Sequence, residues 1–206
     1  MSHKFRNHIK SNIYTTTFVS EIDKVIYTRP GRTAGTDITR ALGVGVKEVS
    51  RPYFFKKGTD SWLENITDEE IDKYFKFTFV RNPFSRLVSA WRAFASRGKV
   101  NKNFESFVIE RGVGHLLYEN GEFTNDHWFP QFNYVQYSDG QNFIDFVGKF
   151  ENLKNDTDKL AGKVTSFSGI NVRGIDTTYK EYYKNGLENI VANIYKKDLE
   201  LFGYEF

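Results

Sequence analysis

Apolar residues in this chain follow two rhythms. Short clusters such as Val25-Ile26-Tyr27 and Phe77-Thr78-Phe79-Val80 are rich in strand formers and too brief for helices. Elsewhere the apolar positions return at three, four and seven. Phe84, Leu87, Val88, Trp91 and Phe94 define one buried helical face, and Leu187, Ile190, Val191, Ile194 and Tyr195 another. Lys76–Ala95 joins the two rhythms. Asn82 is a good N-cap and Pro83 suits the first helical position, so a helix should begin directly after the strand. Arg81 then falls at the carboxyl end of a strand, the side on which open α/β sheets bind ligands. Ser85, Ser89 and Arg92 fall on a polar side of the same helix.

The order strand, turn, helix also occurs earlier. Lys24–Thr28 is a short strand, Arg29–Thr36 a glycine-containing turn, and Ile38, Ala41 and Leu42 recur at helical spacing. Such a turn aims backbone N–H groups at one point and suits an anion. It lacks GxxxxGK[ST] and is not a Walker loop.

The remaining pattern is coarser. Met1–Asp23 is polar and without a helical period, which predicts a loose arm with one strand around Tyr14–Val19 and solvated His3 and His8. Val46, Val49, Tyr53, Phe54 and Phe55 fit a strand or an acceptor-side loop. Thr67 should cap Asp68-Glu69-Glu70 in a short helix within Trp62–Tyr74. Phe104, Phe107 and Val108 predict a helix ending near Gly112, followed by a lid or acceptor loop over Gly114–Thr124 in which His115 is incidental. Phe143–Phe150 predicts a strand leading to Glu151, with a helix over Asn152–Lys163, and Gly203 sits where a C-terminal cap belongs. Alternating short strands and helices predict a three-layer α/β sandwich with a mainly parallel central sheet. Residues 24–206 would form a single domain behind the arm at 1–23.

Composition narrows the function. The excess of 29 Lys+Arg over 26 Asp+Glu gives only +3, too little to predict a nucleic-acid partner. A small anion held by a few placed arginines fits better. With no cysteine there is neither a disulfide framework nor a thiolate metal site, and no His/Asp/Glu cluster has ligand spacing. No run approaches the roughly 18 apolar residues of a membrane span, and the N-terminus lacks a signal-peptide core, which predicts a cytoplasmic protein without a membrane partner. The basic run Ser96–Lys102 is better explained as a solvated turn than as an acceptor-carboxylate site.

Arg81-Asn82-Pro83-Phe84-Ser85-Arg86-Leu87-Val88-Ser89-Ala90 resembles the 3′-phosphate-binding segment of sulfotransferases that use 3′-phosphoadenosine 5′-phosphosulfate (PAPS), above all the carbohydrate sulfotransferase branch. Arg32-Thr33-Ala34-Gly35-Thr36 resembles the Lys-x-Gly-Gly-Thr core of that family's 5′-phosphosulfate loop. It departs by placing arginine for lysine at Arg32 and glycine for proline at Gly31, with Pro30 one place early. Asn125–Gln131 resembles a His-Trp-x-Pro-Gln element of the carbohydrate branch. The Val147–Leu153 run and the Asp198–Tyr204 tail are similar as well.

The resemblance implies a P-loop-NTPase-like sulfotransferase fold in which Arg81 and Ser89 bind the 3′-phosphate, Arg32, Thr33, Gly35 and Thr36 cradle the phosphosulfate, and Arg173 reaches the 3′-phosphate from a late turn. Arginine suits phosphate because its planar fork donates in pairs. His127 would take the proton of the acceptor hydroxyl and Trp128 would pack on a sugar ring; otherwise His127 is a buried structural histidine and Trp128 fills core. Glu48 and Glu151 are reserve bases, though a glutamate at the position of Glu151 more often caps the following helix or pairs with a lysine.

The implied activity is in-line transfer of a sulfonyl group from PAPS to an acceptor hydroxyl on an oligosaccharide or polysaccharide, without a metal. Two rivals are a nucleotide or sugar kinase, which should carry a Walker lysine and a magnesium carboxylate, and an inactive module that binds 3′-phosphoadenosine 5′-phosphate (PAP) or glycan.

Overall fold

Alternation along the strand β4 (Phe75–Val80) sorts its side chains between two faces. Phe77 and Phe79 pack with Ile38, Leu42, Leu153 and Leu160 on one, while Val80 meets Val135 and Phe202 on the other. The computed structural model describes residues 2–11, 16–43, 46–50, 65–110, 127–164, 167, 170 and 177–206. Among these, β4 lies within a five-stranded sheet of order β3-β1-β2-β4-β5, with β1 at Thr16–Ser20, β2 at Val25–Arg29, β3 at Val46–Ser50 and β5 at Phe146–Lys149.

The sheet is mixed. β2, β4 and β5 run parallel, with registers from Val25↔Phe75 to Thr28↔Thr78 and from Phe77↔Phe146 to Val80↔Lys149, as the alternation of strands and helices predicts. β1 is antiparallel to both β2 and β3. The tight turn at Glu21–Lys24 accounts for the first of these pairings, because a short connection can join only antiparallel neighbours. The parallel strands direct the carboxyl ends of β2 and β4 to the same edge.

Helices cover both faces. α2 (Gly35–Ala41), which follows β2, and α6 (Leu153–Leu160), which follows β5, lie on the Phe77 face. The opposite face is covered by α1 (Ser2–Ser11) and α3 (Asp68–Asp72), and by a 3₁₀ turn at Gln131–Tyr134 with α8 (Lys196–Phe202). A lateral cluster joins α4 (Pro83–Ala95), α5 (Phe104–Glu110), a 3₁₀ turn at Thr178–Tyr182 and α7 (Leu187–Ile194). No helix among the described residues is long and apolar enough to cross a membrane.

Local signals explain several boundaries. Thr67 and Glu70 form a reciprocal capping box at α3, and Gly203 closes α8 at φ 61°. The expected strand over Phe143–Phe150 shortens to β5, with Phe143 instead serving the core beside Phe5 and Tyr137. The expected looseness of the N-terminal arm is not found. α1 buries Phe5 and Ile9, one helical turn apart, against Val19 and Phe143, and His8 is half-buried between Tyr137 and Phe143 rather than solvated. Tyr53, Phe54, Phe55, Trp62 and the Gly114–Thr124 loop with His115 lie outside the described residues.

Candidate functional site

The predicted junction between β4 and α4 is present in detail. Asn82 has non-helical backbone, at φ −48° and ψ 121°, and its side chain accepts from the Phe84 N–H at 3.0 Å, with Pro83 as the first helical residue. Glu151 holds this junction from the side: one carboxylate oxygen accepts from the Asn82 N–H at 2.8 Å and the other from the Tyr204 hydroxyl at 2.8 Å. Burial and then the adjacent Glu151 charge raise the Tyr204 pKa, which keeps its hydroxyl a donor. Glu151 is thus engaged on both oxygens, at the start of α4 rather than on the helix that follows it or with a lysine.

Arg81 is 6% exposed at the end of β4. Its Nε donates to Ser85 Oγ at 2.9 Å, its guanidinium lies 4.3 Å from the Phe150 ring centroid, and Nη1 reaches the Arg32 carbonyl at 3.4 Å. The helix has the spacing to bring Ser85 and Ser89 onto one side.

The turn after β2 is held by its own residues. Thr33 is buried and donates to the Pro30 carbonyl at 2.7 Å. Arg32 and Ala34 both occupy the left-handed region, at φ 69° and 64°. Ala34 stands at the first glycine of the resembling Lys-x-Gly-Gly-Thr core, where glycine would take that conformation without steric cost. At Gly35 a Cβ would come within 2.3 Å of Arg29 Nε and 2.7 Å of its Cγ, so the arginine stem crosses where a side chain would project. Arg29 also donates to the Thr36 hydroxyl at 3.1 Å.

The two segments meet. Arg32 Nε and Nη2 both donate to Ser89 Oγ, at 3.1 and 3.0 Å. Beneath them Arg86, 1% exposed, donates through Nε to the Gly31 carbonyl at 2.8 Å. Partial burial, and to a lesser extent the Arg97 charge, lowers the Arg32 pKa from its ordinary value. An arginine stays charged, so this site would gain from a bound anion. The converging groups are guanidiniums and hydroxyls, which suits a ligand carrying phosphates.

The other expected positions meet different partners. His127 rests edge-on against Phe94 of α4 at 5.1 Å, five residues beyond Ser89 on that helix. Trp128 is 4% exposed and packs on Phe94 and Phe107, with its carbonyl accepting from Tyr195 OH at 2.6 Å. Its ring is spent on the core, which corrects the expectation of a sugar platform. Glu48 stands mid-strand on β3, opposite Phe18 and two strands from β2. Arg173 lies outside the described residues.

Three residues of the site were not singled out from sequence: Arg86, Gln131 and Asp198. Gln131 accepts from the Arg81 N–H and donates to the Arg81 carbonyl, both at 2.8 Å, and Asp198 accepts from the N–H groups of Gln131 and Phe132, both at 2.8 Å. Each carried a sequence signal only as a member of a resembling segment: Arg86 within Arg81–Ala90, Gln131 as the last residue of the His-Trp-x-Pro-Gln element, and Asp198 at the start of the Asp198–Tyr204 tail.

Comparison with known proteins agrees with this geometry. A model of the Sulfotransferase family matches residues 1–205. Carbohydrate sulfotransferase 14 of Danio rerio is 26% identical over 181 aligned positions, covering 69% of this chain and 48% of that protein. The Mus musculus protein of the same name is 30% identical over 122 positions, covering 48% and 32%. An uncharacterized protein of Archaeoglobus fulgidus is 30% identical over 118 positions, covering 55% of this chain and 85% of that one. The chain thus spans about half, or less, of the length of the carbohydrate sulfotransferases it matches. No solved structure gives a significant match. With its two turns joined by Arg32 and Ser89 and a family model matched almost from end to end, this chain belongs to the Sulfotransferase family.

Proposed function

We propose that the chain transfers a sulfonyl group from PAPS to a hydroxyl of a carbohydrate acceptor by in-line displacement. The observation that carries this reading is the contact of Arg32 with Ser89, which brings the loop resembling a phosphosulfate cradle against the helix resembling a 3′-phosphate site. PAPS supplies an activated sulfonyl group whose transfer needs alignment and neutralisation of the leaving oxygen.

The residues divide the work. Arg81 and Ser89 hold the 3′-phosphate, with the Arg81 fork donating charged hydrogen bonds. Arg32, Thr33, Gly35 and Thr36 hold the phosphosulfate end, where Arg32 stabilises the charge that develops on the leaving oxygen. Arginine instead of lysine at that position gives a longer, planar donor able to touch Ser89 and the donor end of the site together. His127 accepts the proton of the attacking hydroxyl from its place beside α4. The carbohydrate acceptor is supported by the names of the animal relatives.

Incubation with radiolabelled PAPS and a panel of glycans tests the assignment. Labelled product is the expected result. PAP binding without product would leave a binding module, and a preference for ATP would leave a kinase. Arg81→Ala should reduce PAP affinity at least a hundredfold, since a charged fork to phosphate is removed; unchanged affinity would take Arg81 out of the site.

A further inference from the structure

Arg81 stands just beyond the sheet. The last register pairs of the two ladders flanking β4 are Thr28↔Thr78 and Val80↔Lys149, so neither neighbouring strand has a register partner for the residue that carries the guanidinium. Its backbone is held instead by the Gln131 side chain, which is 0% exposed. The primary amide supplies both an acceptor and a donor, and so replaces the missing strand partner at that one residue.

Gln131 is itself fixed from α8. The cap residue of the Gln131–Tyr134 turn, Pro130, offers no side-chain acceptor, and the carboxylate of Asp198, 0% exposed, takes that role from outside the turn. One oxygen accepts from the Gln131 N–H and the other from the Phe132 N–H, while the first also lies 3.4 Å from the Gln131 amide nitrogen. The chain of contacts runs from Asp198 through Gln131 to Arg81 and on to the Arg32 carbonyl.

We propose that Asp198 and Gln131 are positioning residues that aim Arg81 and thereby set the preference for a nucleotide bearing a 3′-phosphate. The inference rests on the donor reading above. A buried carboxylate and amide are a costly way to hold a turn, because apolar side chains of similar volume would pack it as well. What they add is direction: each fixes a specific N–H or carbonyl, and the last carbonyl and N–H in the chain belong to Arg81. Burial raises the Asp198 pKa, against the Gln131 and Phe132 N–H groups and the Arg86 charge, which hold it down. Arg86 in turn grips the Gly31 carbonyl, so the same buried group of charges touches both turns.

Calorimetric titration of the full chain with PAP and with adenosine 5′-phosphate, which lacks the 3′-phosphate, tests the proposal. The wild type should prefer PAP, and Arg81→Ala should abolish the preference. Gln131→Met, close in volume but unable to hold either backbone group, should lower the PAP preference about tenfold with adenosine 5′-phosphate affinity unchanged. Asp198→Asn should lower it in the same direction by a smaller factor, and decides the matter if Gln131→Met does not fold. A folded variant that weakens both nucleotides equally, or neither, while Arg81→Ala abolishes the preference, overturns the relay alone. A wild type without a PAP preference, or one that keeps it in Arg81→Ala, overturns the donor reading and the relay with it.

Discussion

Arg32 grips Ser89: two nitrogens of one guanidinium converge on a single hydroxyl across 57 residues of sequence. The contact places a cation of the first turn on the helix of the second, so both ends of an adenosine nucleotide would meet shared groups. Ser89→Ala should therefore act on binding rather than on folding. A loss of about tenfold in PAP affinity is expected from the missing hydroxyl, with a stability change within about 1 kcal/mol at this partly exposed position. Titration calorimetry and urea unfolding read the two quantities separately.

Arg81→Lys keeps the charge but removes the fork. Lysine cannot hold Ser85 while stacking on Phe150, so the ammonium would lose its fixed direction. PAP affinity should fall by roughly tenfold or more, which direct titration of the variant would register. Affinity equal to wild type would mean that charge alone suffices.

Ala34 holds φ 64°, a conformation that costs a side chain about 1–2 kcal/mol and glycine almost nothing. Ala34→Gly should raise stability by about 0.5–1 kcal/mol after the larger entropy of the unfolded glycine is counted. The denaturation midpoint in urea should move upward with an unchanged slope.

His127→Ala separates chemistry from donor binding. With His127 as the base, turnover of PAPS should fall about a hundredfold or more while PAP affinity stays at the wild-type value. Near-normal turnover with intact PAP binding would move the proton acceptor elsewhere.

Acid stability reports on His8. Burial lowers its pKa below the ordinary value of 6.5, outweighing the opposing hydrogen bond to the Asn133 carbonyl. The folded state therefore favours the neutral ring. Its contribution is complete above about pH 6.5 and is lost as pH falls through the lower folded value. His8→Phe keeps an aromatic ring against Tyr137 and Phe143 and should reduce the drop in melting temperature between pH 7.5 and 5. An identical drop would place the acid sensitivity in other groups.

The β4–α4 junction was legible because local signals agree there: an apolar strand, Asn82 as cap, Pro83 as first residue, and a helical stripe from Phe84 to Trp91 that is buried as the spacing predicts. α3 was legible for the same reason, through Thr67 and Glu70. α1 was not, because among its described side chains the buried stripe consists of Phe5 and Ile9, and their value depends on Phe143 far along the chain. The antiparallel β1 and β3 were hidden by strand direction, which periodicity does not encode. Trp128 illustrates a further limit, since an aromatic that suits a sugar suits a core equally and only Phe94 and Phe107 around it decide. Asp198 sits in a charged helical tail and resembles a solvated acid until burial reveals it.

The direction of β2 has a practical consequence. Because that strand delivers Arg29 to the edge that carries Arg32 and Arg81, its beginning and the Glu21–Lys24 turn lie at the far end of the sheet. Ile22 on that turn is 76% exposed. A fluorophore or surface tether installed there would sit at the other end of the sheet from Arg32 and Ser89 and leave the proposed nucleotide site unobstructed, giving single-molecule work on this family an anchoring point.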